Sequence, residues 1–315
     1  MLSDLSFCVR EIYRKYHEKW FLELLYDKLL TWNRWWVIKR DINGLLAWGS
    51  NTYQPLNGNY WETRESGVGS RQGASYESGM DNAPMYFDIP FNSTKEVLEL
   101  WDVGLNSLYI MDCYALSDIA KELGKTADYK ELMARGARYS DNLNKLWNDK
   151  LGIYCNRRTD NGEFSTRLSP TCFYPLLTDV PDKQKIDRMM KEHFYNPDEF
   201  YGEWIIPSVP RNDTAFKAQN YWQGRVWAPL NFLVYLGLRK HNLIAAKDEL
   251  VAKSKALLLK NWTANHYVCE NYNALTGIGA ENGTASDPFY HWGSLLGFMQ
   301  FIESGQVEAP EKPLK

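Results

Sequence analysis

Glu77 and Asp81 are the first residues along the chain whose type and spacing suggest chemistry, in Tyr76-Glu77-Ser78-Gly79-Met80-Asp81-Asn82-Ala83-Pro84-Met85. Gly79 lets the backbone turn between them, and Pro84 opposes a helix just before it. Alone, the pair reads as two solvated loop acids. Two further polar stretches change that reading: Tyr221-Trp222-Gln223-Gly224-Arg225-Val226-Trp227, and a Gly-rich loop over 261–288 holding Glu270. If the three gather at one mouth, two carboxylates from distant positions face each other across an aromatic pocket. Hydrolysis of a glycosidic bond without a cofactor uses that arrangement. One carboxyl stays protonated and donates to the leaving oxygen, while the other is ionised and works on water or on the sugar. Their surroundings must differ for the two roles to separate.

Other chemistries fit less well. Net charge is −3 with both signs interspersed, unlike the basic footprint of a nucleic-acid binder. No apolar run is long enough to span a membrane. The five cysteines are scattered without a C-x-x-C spacing, and the five histidines form no H-E-x-x-H pattern, so neither a metal nor a cofactor is expected. A G-x-S-x-G turn is also missing. The first residues, with Asp4, Arg10 and Glu11, do not read as a secretory leader. That leaves the compartment open, tilting toward cytoplasm over periplasm. The 13 Trp, 20 Tyr and 13 Phe often sit beside Gly, Asn, Gln or Asp, where a flat face edged by hydrogen-bonding groups suits a sugar ring.

Helical periodicity predicts the scaffold for these loops. One helix is expected over 3–40 and stopped by Asn43-Gly44, another over 101–123 ended by Gly124, and a third from Thr126 to about Asn148. Shorter helices are expected over 169–177 and 181–193. Longer ones should run from Tyr221 to about Lys240, over 243–260, and from Tyr290 to Ser304. A hairpin is expected between 152–156 and 163–166 through Asp160-Asn161-Gly162. The roughly fifty-residue connection from Asn43 to Pro90, holding Trp48-Gly49-Ser50 and Tyr60-Trp61-Glu62, is much longer than an ordinary loop. Paired helices joined by alternating short and long connections fit a ring of helical hairpins with the long loops at one end. No linker divides 1–305, so one domain is expected, with 306–315 as a frayed tail.

At this point the motifs resemble those of glycoside hydrolase family 63. Glu77-Ser78-Gly79-Met80-Asp81-Asn82-Ala83-Pro84-Met85 resembles that family's acid-bearing loop, and Asp102-Val103-Gly104-Leu105-Asn106-Ser107-Leu108 resembles the segment after that loop. Tyr221–Trp227 resembles its Y-W-x-G-x-x-W segment. Glu270-Asn271-Tyr272-Asn273 with Asp287-Pro288-Phe289-Tyr290-His291-Trp292-Gly293 resembles its base-bearing loop and final helix entry. Trehalases share a weaker version. The resemblance implies an all-α, (α/α)6 toroid-type barrel with a small β-hairpin insertion. It also implies an inverting α-glucosidase or α-mannosidase with Asp81 as general acid and Glu270 as general base. The carboxyl groups should then lie roughly 6.5–9.5 Å apart. A full ring needs twelve helices and nine or ten are expected here, which leaves three readings open: a natural short form, a fragment, or a ring left open toward its N-terminus. Exposed apolar faces on such a ring would favour pairing with a second copy.

Substrate contacts are expected from Trp48, Asn82, Tyr221, Trp222, Gln223, Gly224, Trp227, His291 and Trp292, with Arg225 as a further donor to hydroxyls. Core packing accounts for Trp48, Trp222 and Trp292 almost as well, and His291 serves equally as a structural histidine. Glu77 is expected to hold its loop through backbone N–H groups. Asp102 is expected to cap a helix, and Asp287 to shape a turn. The expected partner is a small carbohydrate. The competing reading is a sugar-binding or assembly protein on a truncated barrel, without turnover.

Overall fold

Asp102 accepts a hydrogen bond from the Leu105 amide at 2.8 Å, so it caps the next helix, as expected. That helix, Val103–Glu122, is apolar nearly all round and buried on almost every face. The structure is a computed structural model that describes residues 5–51, 67–280 and 286–312. Tyr60-Trp61-Glu62 and the end of the tail lie outside the described residues.

In chain order the α-helices are α1 (Leu5–Tyr16), α2 (Lys19–Arg40), α3 (Arg71–Ser78), α4 (Val103–Glu122), α5 (Thr126–Leu143), α6 (Lys183–Arg188), α7 (Ala228–Lys240), α8 (Ile244–Asn265) and α9 (Leu295–Glu303). A 3-10 helix, Pro170–Leu177, stands between α5 and α6. Pro175 removes a backbone donor from it, and all its side chains are buried. Inner and outer layers separate by burial. α4, Pro170–Leu177 and α7 are buried on almost all sides and pack in sequence, α4 on Pro170–Leu177 and Pro170–Leu177 on α7. α5 covers α4, and α8 covers α7 and α9. α2 lays Leu22, Tyr26, Leu29, Leu30 and Trp36 inward at helical spacing. α1 packs against α4 and α2. The main apolar core runs without interruption from Phe7 to Ile302.

Several expectations need correcting. The helix over 3–40 is broken: His17 has φ 55° and its amide donates to the Tyr13 carbonyl, closing α1 before α2 begins. The stretch around the break is mostly charged, and its aromatics, Tyr16 and Trp20, are exposed, so no buried phase reveals it. The segment 221–227 is not helical. Tyr221 has φ 58°, Gly224 has φ 102°, and α7 starts only at Ala228 with a proline in its first turn. The expected hairpin is divided. Ile153–Tyr154 pairs back onto Trp147–Asn148, while Arg157–Arg158 pairs with Leu100–Trp101 and bridges Phe164. The long connection after Asn43 contains α3. The described tail is not frayed: Arg14 bonds Glu308 and the Ala309 carbonyl, and the Glu311 amide bonds Glu11.

Asn43 and Gly44 do turn the chain, as the central pair of a hairpin between Asp41–Ile42 and Leu45–Leu46 with φ values of 55° and 92°. Exposed apolar side chains are present on α1 and α2 at Ile12, Tyr16, Trp20, Leu24 and Ile38. No described helix is long and apolar enough to cross a membrane.

Candidate active site

Ser70 caps α3 by accepting from the Gly73 amide, and Gly79 ends it in the left-handed region at φ 72°. The chain then turns sharply. The Met80 amide donates to Ser78 Oγ at 3.0 Å, and Asp81 follows directly. Asp81 is half-buried and, among the described residues, no lysine or arginine pairs with it. Burial pushes its carboxyl pKa up, opposed only by its own backbone amide.

Glu77 has a different role. Its carboxylate accepts Arg40 Nε at 2.8 Å, Arg40 Nη2 at 2.5 Å and the Gly49 amide at 2.7 Å. Arg40 is almost fully buried, with its guanidinium over the Trp35 ring at 4.7 Å. Glu77 therefore fastens α3 to α2 and to the backbone at Gly49. A Cβ at Gly49 would lie 2.4 Å from the Glu96 carbonyl oxygen, so the backbone approaches this closely only with glycine. Glu77→Ala leaves a buried guanidinium uncompensated, and a stability loss of about 3–5 kcal/mol is expected in urea unfolding. A loss under about 1 kcal/mol would contradict this role.

Asn82 joins the Asp81 turn to the 221–227 segment. Its Oδ1 accepts the Trp222 amide at 2.9 Å, its Nδ2 donates to the Asn220 carbonyl at 3.2 Å, and the Asn82 backbone carbonyl accepts from Gln223 Nε2 at 3.4 Å. The Trp222 and Trp227 rings lie face to face, 8° from parallel, and both are sealed from solvent. Trp227 Nε1 donates to the Tyr221 carbonyl at 3.0 Å, and the Tyr221 ring stands edge-on to Trp227 at 4.9 Å. The left-handed backbone at Tyr221 is thus held from both sides, and its hydroxyl donates to Glu270 Oε1 at 3.0 Å.

Glu270 is set by strand-like pairing. Val226 and Tyr272 exchange backbone hydrogen bonds of 2.7 and 2.9 Å, and the Glu270 amide donates to the Asp287 carbonyl at 2.8 Å. Trp292 Nε1 donates to the Glu270 carbonyl at 3.0 Å. Only 4% of Glu270 is exposed. Burial raises its pKa, the Tyr221 hydroxyl pulls it back, and the charges of Asp287 and Asp81 add to the rise. Asp81 also acts on Tyr221, whose pKa is raised first by burial and then by Glu270. The charge of Asp81 therefore reaches both Glu270 and the Tyr221 that bonds it.

The placements sort the other expected contacts. Asn82, Tyr221, Gln223 and Trp292 are half-buried and His291 is exposed; Asn82 and Gln223 bond across the Asp81 turn, and Tyr221 and Trp292 bond Glu270. Trp48, Trp222, Gly224 and Trp227 are buried, which corrects their expected place against a sugar face. Trp48 stands edge-on to Trp36 at 5.7 Å in the core, and Trp222 and Trp227 form the stack behind Tyr221. Arg225 is also enclosed. It bonds the Gly279 carbonyl at 2.5 Å and the Asn271 side chain, and so ties two loops together. Sequence reading missed Arg40 as the partner of Glu77, and Gln72, whose Nε2 donates to the Asp81 carbonyl at 3.1 Å. Nothing local links Arg40, at the end of a helix, to an acid beyond a long connection.

Residues 5–292 match the family described as the mannosylglycerate hydrolase MGH1-like glycoside hydrolase domain. The chain belongs to this family. The matched span contains Asp81, the 221–227 segment and Glu270. Mannosylglycerate hydrolase MGH1 of Selaginella moellendorffii is 26% identical over 212 residues, which are 65% of this chain and 39% of that protein. The mannosyl-oligosaccharide glucosidase of Saccharomyces cerevisiae is 24% identical over 244 residues, 70% of this chain and 28% of the yeast protein. This member of the MGH1-like family thus spans well under half the length of those relatives. In structure it is similar to the family 63 mannosylglycerate hydrolase from Thermus thermophilus in complex with glucose. The TM-score is 0.74 at 22% identity, covering 95% of this chain and 74% of that one. The fold of this MGH1-like domain is that of the (α/α)6 barrel enzymes, with nine α-helices among the described residues.

Proposed function

We propose that the protein is an inverting glycoside hydrolase for an α-glucosidic or α-mannosidic bond in a small glycoside or oligosaccharide. The observation that carries this reading is a pair of desolvated carboxyls from distant parts of the chain: the charge of Asp81 acts on Glu270 and on Tyr221, which bonds Glu270, and neither carboxyl has a cationic partner among the described residues. Asp81 is the general acid. It enters the reaction protonated and delivers its proton to the glycosidic oxygen as the bond from that oxygen to C1 breaks. Glu270 is the general base. It takes a proton from a water that attacks C1 on the opposite face, so that the sugar leaves with a hydroxyl and the configuration inverts. A base with so little open surface suits contact with a single water, and Tyr221 orients its carboxylate for that task. Asn82, Gln223 and Trp292 are the side chains we assign to sugar hydroxyls and faces.

The named relatives define the first substrates to try. A panel of mannosylglycerate, glucosylglycerate and short α-gluco- and α-manno-oligosaccharides, followed by NMR of released sugar, tests the reading. Hydrolysis of at least one of them with ordinary turnover is expected, and inertness toward all would contradict it.

The pH profile supplies a second test. Activity requires Glu270 ionised and Asp81 protonated, so it is lost below the pKa of the first and above that of the second. The Tyr221 hydroxyl stabilises ionised Glu270. Tyr221→Phe removes that bond, so the Glu270 pKa rises and the acidic limb of kcat/KM moves to higher pH. A limb that stays in place, or moves to lower pH, would count against Glu270 as the base held by Tyr221.

A further inference from the structure

Next to Trp292, a group of aromatic side chains reaches the surface. Phe289 is 77% exposed, and its backbone is left-handed at φ 60°, a conformation that a bulky L residue seldom adopts. Neither property helps the fold: the ring buries little, and the backbone is strained. Its neighbours extend the surface. The Tyr267 ring centroid is 4.8 Å away. Tyr290 stacks on His291, 5.6 Å apart and 18° from parallel, and lies 4.6 Å from Trp292.

The surface is fixed to the site. Cys269, just before Glu270, forms an antiparallel bridge with Pro288, just before Phe289. The Tyr290 amide donates to the Val268 carbonyl at 3.3 Å, and the Glu270 amide to the Asp287 carbonyl at 2.8 Å. The aromatic ledge and the carboxylate therefore belong to one small pairing unit and cannot shift independently.

We infer that Phe289, Tyr267, Tyr290 and His291 form a second saccharide subsite, which takes a further pyranose of an oligosaccharide cleaved at Asp81 and Glu270. This rests on the glycosidase reading above. A pyranose offers a C–H face to a ring and hydroxyls at its rim. The ledge offers the exposed Phe289 ring and His291 imidazole, the half-buried rings of Tyr267 and Tyr290, and the exposed Asp287 carboxylate. The acidic neighbour disfavours an anionic lipid headgroup, and the backbone pairing of this stretch with the Glu270 stretch favours a longer piece of the same substrate over an unrelated partner.

The test compares wild type with Phe289→Ala and Phe289→Trp on α-linked oligosaccharides of increasing length and on a short glycoside with a small aglycone. The subsite predicts that Phe289→Ala raises KM for the longer substrates by about 3–10-fold with kcat little changed, the size of one lost stacking contact. The short glycoside should be unaffected, and Phe289→Trp should restore the longer ones. Equal effects on short and long substrates, or no effect on either, would overturn it. Intrinsic fluorescence titration with a tetrasaccharide separates this inference from the glycosidase reading. If no substrate turns over yet Phe289→Ala weakens binding, the subsite stands and the hydrolysis reading falls. If the variant changes only the sedimentation coefficient, the ledge joins copies of the chain and the subsite is wrong.

Discussion

Asp81→Asn is expected to lower kcat for an alkyl α-glycoside by about 10²–10⁴-fold, the usual worth of a positioned general acid. The amide cannot donate the proton that the leaving oxygen needs. KM should change far less, because Asp81 acts on the transition state more than on ground-state binding. Two controls make the result specific. An activated aryl glycoside, whose leaving group departs without protonation, should lose much less rate. The thermal midpoint should hold or rise, since Asp81 has no ionic partner among the described residues and burial disfavours its charge. Equal losses on the alkyl and aryl substrates would mean that Asp81 is not the acid.

Glu270→Gln is expected to cost about 10²–10⁴-fold as well, for the complementary reason. Glutamine keeps an oxygen that can accept the Tyr221 hydroxyl, so the loops around it should stay in place. It cannot take a proton from water. Azide needs no deprotonation, so it should restore part of the rate and trap the sugar as a glycosyl azide of inverted configuration. Steady-state kinetics with and without azide measures this. A variant that kept near-normal turnover, or gained nothing from azide, would point away from Glu270 as the base.

How far this arrangement is legible in the sequence differs from residue to residue. The inward face of α2 follows from apolar periodicity, the burial of α4 from its largely apolar run, and the cap at Asp102 from its position before that run. The 221–227 segment reads as the start of a helix, because its residue types permit one. What prevents it is the left-handed backbone at Tyr221 and Gly224, held by Asn82 from far along the chain. Trp48 and Trp222 stand beside Gly49 and Gln223, and Trp227 closes the same segment as Trp222, which suggests ligand faces. Their burial comes from ring-on-ring packing between segments that local pattern cannot foresee. α3 escapes notice because its interior holds little that is apolar, and its caps at Ser70 and Gly79 define it instead. Asp81 and Glu270 stand out through their motifs. That their charges meet depends on the pairing of Val226 with Tyr272, a long-range contact that no spacing encodes.

Proton NMR of the first sugar released from an α-glycoside, recorded before mutarotation, is the most direct measurement. Attack by a water held at Glu270, opposite a leaving group protonated by Asp81, requires the β-anomer to appear first and the α-anomer to grow in only as the two equilibrate. An α-anomer present from the earliest spectra would mean that the two carboxyls do not work across the sugar as an acid and a base.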